Sequence, residues 1–289
     1  MITLAQIEYT QMAHELVALS RRDITQGVKF SKYKKNAGSM LKNDPVAGNA
    51  LLGLVACLEH DLSAMHQYHK KAIELVQSSF TLMSYAASLE KSCLWNESAK
   101  YALFALDHEP ENLQFIDILI RLAPLTGRFS LLNRLLTQWR QAHNGVQHSS
   151  HLECEIIGAI LSRNGLLEKD LKLVIAAIGD ALSETDVILQ GFRCDLVTGR
   201  PEQSFIHYRF LIPDQFVASY YEDLIAEKLD SLAYHPRVFD AFSFSIENST
   251  VYELYDYMEK ELEESAETIR IPDPDKLKLM EELVQGVEI

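Results

Sequence analysis

Histidine and cysteine are the residues that most invite a chemical reading of this chain. His66 and His69 stand three apart, with His60 just ahead, and His148, His151 and Cys154 recur at spacings of three. Imidazole and thiolate are zinc ligands, but zinc needs three or four of them converging tetrahedrally, usually with pairs drawn from separate segments. Neither group has the second half of such a site. Helical histidines and core thiols account for both, and no metal or other cofactor is expected. Gly191 and Gly199 are too isolated to form a phosphate-cradling loop, and there is no HExxH and no GxSxG elbow. The adjacent carboxylates Glu263-Glu264 and Glu281-Glu282 fall on polar helical faces, where nothing shifts their acidity for catalysis. The chain reads as a non-enzyme.

A chain without chemistry must work through its surface, so the elements that build the surface come next. Hydrophobic residues make up 47% of the 289, enough for a large core. Only 12 Gly and 8 Pro are present, and Leu, Ala, Glu and Lys favour helix. The first residues carry Glu8 and Glu15 with no basic start or long apolar run, so no signal peptide is expected. No stretch of 18 apolar residues suggests a membrane span. The four cysteines are far apart with no CxxC pair, which fits reduced thiols in the cytoplasm. The net charge of −14 is uneven. From residue 215 onward, 18 acidic residues face 6 basic ones, whereas residues 1–45 hold 7 basic and 4 acidic. A chain this acidic is a poor partner for nucleic acid, although its acidic end would attract a basic protein.

The spacing of apolar residues predicts an all-α chain of antiparallel helix pairs. Residues 1–45 read as an N-terminal capping pair, with the basic run KFSKYKKNAG in its second helix. Residues 46–213 read as an array of five pairs. In the first, Leu52-Gly53 mark the helix crossing, His60-Asp61 the turn, and Ala72 the late second helix. Ala86, the turn before Trp95, and Ala105 repeat that layout 33 residues on. Ile120, Gly127-Phe129 and Trp139 repeat it again. The fourth pair has Ile157-Gly158 at its crossing and Asn164-Gly165 in its turn. The fifth places Val187 to Val197 and Glu202 to Leu211 on either side of Thr198-Gly199-Arg200-Pro201.

The period, the small residue in the first helix, the aromatic after the turn, the late alanine and the closing Pro110 resemble the tetratricopeptide repeat. Residues Val46 to Asn112 carry the resemblance best, although Asn49 and Leu82 stand where that family has tryptophan. The resemblance implies a right-handed superhelical stack whose first helices line a concave groove. It assigns Ala50, Leu54, Cys57, Met83, Ala87, Glu90, Asp117 and Arg121 to that groove, an apolar floor with a few charges suited to an extended or helical peptide.

Residues 214–289 depart from the register and read as an acidic helical region. One helix is expected from Gln215 to Leu232. A capping box at Thr250 and Glu253 opens another, with Val251, Leu254, Tyr255, Met258 and Leu262 as its apolar stripe. This region caps the array, folds into its groove, or serves as a docking tail. The expected function is a non-enzymatic scaffold or adaptor holding a partner protein segment, with no nucleic acid or membrane partner. One alternative is an inhibitor or immunity-type protein whose tyrosine-rich end, with Tyr252, Tyr255 and Glu259, blocks a basic partner such as a nuclease. The other is a secretion chaperone.

Overall fold

The computed structural model describes residues 4–17, 27–197, 204–213 and 217–249. Two helices open it, α1 (Leu4–Val17) and α2 (Val28–Asn43). Four hairpins follow: α3 (Pro45–Leu58) with α4 (Leu62–Leu75), α5 (Ser79–Lys91) with α6 (Trp95–His108), α7 (Leu113–Leu125) with α8 (Phe129–Ala142), and α9 (Ser150–Arg163) with α10 (Glu168–Ser183).

The four hairpins turn in the same way. His60, Cys93, Gly127 and Gly165 all adopt left-handed φ, between 61° and 66°. In each turn the next amide closes back onto a carbonyl five residues earlier: Asp61 to Ala56, Leu94 to Leu89, Arg128 to Ala123, and Leu166 to Leu161. This bond, six residues to one, satisfies carbonyls that a helix end leaves orphaned. Side chains start several of the helices. Asp44 accepts from the amides of Val46 and Ala47 with Pro45 at the first position, Asp61 accepts from Ala64, Ser78 and Thr81 form a capping box, and Asn112 caps α7.

Burial follows from composition. Helix α3 (PVAGNALLGLVACL) is apolar on every side, and eleven of its fourteen residues are buried between α1, α2, α4 and α5. Gly53 lies against the His69 ring, where any Cβ would stand 2.5 Å from ring atoms. The expected crossing residues Ala86 and Ile120 are buried, as are Ala72 and Ala105. Of the expected Ile157-Gly158 crossing, Ile157 is buried, whereas Gly158 is exposed and has open space around it.

The expected fifth helix pair is a correction. Residues 191–197 and 205–213 are strands β1 (Gly191–Val197) and β2 (Phe205–Pro213), paired antiparallel. Helix α11 (Ala218–Asp230) and the short α12 (Val238–Ala241) lead to β3 (Phe242–Ser249), parallel to β2, giving the order β1-β2-β3. The fold is therefore mostly helical, as expected, with a small three-stranded sheet added among the described residues. The physical reason is period two: Ile206, Tyr208, Phe210 and Ile212 are buried while His207 and Arg209 point away. Branched and aromatic residues fit such a half-buried pleat better than a helix.

The sheet is anchored on the hairpins. Phe210 stacks on Trp95 with ring centres 5.3 Å apart and planes 6° from parallel. The Tyr208 hydroxyl donates to the Pro124 carbonyl at 3.0 Å, and the Leu189 amide donates to the Lys91 carbonyl at 3.0 Å. One continuous apolar core thus runs from Ala86 in α5 to Ile246 in β3. A second core joins α1, α2 and α3.

Candidate functional site

The eight groove positions recur with the hairpin period. Ala50 and Met83 are 33 residues apart, and Met83 and Asp117 are 34 apart, so they hold equivalent places on α3, α5 and α7. Their environments differ. Ala50 and Leu54 are buried in the same core as Tyr9 and Leu16 of α1, which packs chiefly against α3. Tyr9 also crosses to α5, its ring edge-on to Phe80 at 5.0 Å. Burial pushes the Tyr9 phenol up, with the Ser84 hydroxyl opposing that shift. So Ala50 and Leu54 are not open to a partner: they are buried in the core that α3 forms with α1 and α2. Cys57 is not open either. It packs with Met65, Tyr85 and Leu89, its Sγ 3.4 Å from both the Ser88 carbonyl and the Ser92 hydroxyl.

On α5 and α7 the row stays outside the core. Met83 and Glu90 are half-buried, Ala87 is exposed, and Asp117 and Arg121 are exposed one helical turn apart. Met83 and Ile118 rest against the main core as partly buried apolar groups. Two features that sequence reasoning missed flank Asp117. The loop after α8 brings His148 to it, with Nε2 3.2 Å from the Asp117 carboxylate. The Ser150 amide donates to His148 Nδ1, so the neutral ring carries its proton on Nε2 and donates it to Asp117. That hydrogen bond holds the Asp117 carboxyl below its usual range. Burial works against it, and the charges of His148 and Arg121 add to it. Trp139 braces the imidazole edge-on at 5.0 Å and stacks on His143 at 3.6 Å. The available signal was the run of Trp139, His143 and His148 at four- and five-residue spacing, from the last turn of α8 into the polar loop after it.

The other histidines serve packing. His69 is fully buried, its Nε2 2.8 Å from Ser88 Oγ and its ring stacked on Tyr85. His66 Nδ1 meets the Tyr85 hydroxyl at 2.5 Å. His151 pairs with Glu155 one turn on in α9, and Cys154 is half-buried with its thiol pushed up to about 11 by burial. Among the described residues no three His, Cys, Asp or Glu side chains converge as metal ligands. On the outward face of the sheet, His207 sits between the Ser243 and Ser245 hydroxyls at 2.7 and 3.1 Å, and Arg209 bridges Asp195 and Glu247. Both imidazole nitrogens are thus taken by hydroxyls, which fixes the ring across two strands. Tyr252, Tyr255 and Glu259 lie outside the described residues. No helix among the described residues is long and apolar enough to cross a membrane.

The arrangement offers a row of small, apolar and charged groups on two successive helices, beside a braced imidazole and indole. Both nitrogens of that imidazole are engaged, Nδ1 by the Ser150 amide and Nε2 by the Asp117 carboxylate. Compared with known proteins, the chain matches no family model, no curated protein and no solved structure.

Proposed function

We propose that this chain is a non-enzymatic interaction scaffold of the cytoplasm. In this reading α3 to α8 stack as tetratricopeptide-type pairs in a right-handed superhelix, and α5 and α7 hold a helical segment of a partner protein. One observation carries the reading: α3 already packs against a helix, the chain's own α1, with Tyr9 and Leu16 in one core with Ala50 and Leu54 and Tyr9 reaching on to Phe80 of α5. A face that accepts an amphipathic helix at its first repeat is suited to accept another where the row continues uncovered among the described residues. Met83 supplies an adaptable apolar contact, Ala87 allows close approach, and Glu90, Asp117 and Arg121 set orientation. The identical turns at His60, Cys93 and Gly127 support the repeat reading.

The test is capture of a partner from host extract by three tagged proteins: wild type, Ala87→Trp, and a variant reversing Glu90, Asp117 and Arg121. The expected result is a partner whose capture falls about tenfold or more in both variants, and which persists in high salt because apolar contacts dominate. A partner retained equally by all three, with helical circular dichroism unchanged, overturns the reading.

A further inference from the structure

A second groove lies elsewhere, between α1 and α2. Helix α2 holds five lysines and no carboxylate in a chain of net charge −14. Phe30, Tyr33, Ala37 and Met40 are buried, whereas Lys29, Lys32, Lys35 and Lys42 are exposed, and of these lysines Lys29 and Lys32 line the cleft itself. Lys34 is answered by Glu59 at 2.8 Å, and no ion pair is formed by Lys35 or Lys42 among the described residues. Beside this stripe runs an open cleft of about 570 Å³ reaching from Lys29 to Asn43, with Met12, Tyr33 and Met40 among its lining residues. That stretch of α2 is about 20 Å long at helical rise, room for four turns of a second helix. Methionines adapt to irregular apolar surfaces, and a lysine rim selects acidic groups. Among the described residues Glu15 is the one carboxylate lining the cleft. The Tyr33 hydroxyl donates to it, and with Lys29 and Lys32 nearby its charge is already answered.

We propose that the occupant of this cleft is the chain's own segment 250–267, docked in cis. Its sequence carries seven acidic residues and one basic, with Val251, Leu254, Tyr255, Met258 and Leu262 at helical spacing. It complements the cleft in both respects, an apolar stripe for the methionines and carboxylates for the lysines. The route is short. Gly191 pairs with Leu211, and Leu211 with Glu247, so β3 ends on the side of the sheet where β1 begins. Three residues before Gly191, Ile188 packs against the α1–α3 core. Two strand spacings, about 10 Å, separate Gly191 from Glu247, two residues before β3 ends. The proposal does not depend on the α5–α7 row.

The test uses the full chain with a photo-crosslinking residue in place of Ser39, which is exposed and lines the cleft. The expected product is monomeric in size and joins position 39 to residues 250–267. Its yield falls about fivefold or more in about 1 M salt, where charges beyond about 3 Å are screened. Reversing Glu253, Asp256, Glu259 and Glu263 to Lys abolishes it. Adding Lys29→Glu, Lys32→Glu, Lys35→Glu and Lys42→Glu to that variant restores it. Cross-links to any other segment, or a yield indifferent to the tail reversal, overturn the proposal. So does a product found only at dimer size, which would give the cleft to a second copy. The tail reversal leaves every groove residue native, so a lost cross-link with unchanged helical circular dichroism reports docking rather than folding.

Discussion

His69 is the residue whose surroundings make the sharpest prediction. Its ring is fully buried, stacked on Tyr85 and pressed against Gly53, with Nδ1 left without a hydrogen-bond partner. Burial, helped by neighbouring His66, pulls its pKa down from 6.5 to about 3. The folded ring therefore stays neutral at pH values where the unfolded ring takes a proton. Above pH 6.5 neither state is protonated and the residue adds no pH dependence. From 6.5 down to about 3 the unfolded state binds the extra proton, so stability falls by up to about 1.4 kcal/mol per pH unit. His66, also lowered by burial, acts in the same direction. Urea unfolding at pH 7.5 and pH 5 measures this before most carboxylates titrate. His69→Gln is expected to start from lower stability but to lose most of the slope. Equal slopes in the two proteins would show that the ring is protonated in the fold.

Helix α1 decides how the array can be used, because it lies where a ligand was expected. Tyr9 ties it to both α3 and α5, with 8% of its surface exposed. Removing a ring from such a site leaves a void that a short helix cannot close. Tyr9→Ala is expected to release α1 locally: amides of residues 4–17 lose protection from hydrogen exchange while those of α7 to α10 keep theirs. The uncovered face of Ala50 and Leu54 then binds an apolar dye that wild type ignores. Loss of protection throughout would mean that α1 is part of the global unfolding unit instead. None of this was legible in the chain, since nothing local in LAQIEYTQMAHELV says which helix it will cover. The hairpins were legible, because their signals are local: His60-Asp61 in the first turn, and Gly127 and Gly165 where the turn needs left-handed φ. The strands were misread because Val187 to Val197 and Glu202 to Leu211 flank a Gly-Arg-Pro that also punctuates helices. Their alternation of Ile206, Tyr208, Phe210 and Ile212 was the stronger signal. For the groove row, the period gave the equivalence of Ala50, Met83 and Asp117, but only tertiary packing distinguishes the covered position from the open ones.

At the scale of the molecule, the sheet and the hairpins stand or fall together. Trp95 opens α6 and is 2% exposed, Phe210 is at the centre of β2 and fully buried, and the two rings lie flat on each other although 115 residues separate them. Around them Gly179 of α10 approaches the indole so closely that a Cβ would stand 2.9 Å from it, and Leu189 is bonded to the end of α5. Contacts of such long sequence separation cannot form until both halves are ordered. Trp95→Ala and Phe210→Ala are each expected to cost about 3–5 kcal/mol. The double variant should cost less than their sum by about 0.5–1.5 kcal/mol or more, the coupling of a stacked aromatic pair. Tryptophan fluorescence and far-ultraviolet circular dichroism should then follow one denaturant transition in wild type, since a continuous core leaves no seam at which α5 to α10 part from the strands. Strict additivity of the two substitutions, or a sheet signal that melts ahead of the helical one, would show that β1, β2 and β3 merely rest on the array and that its helix pairs hold themselves up without them.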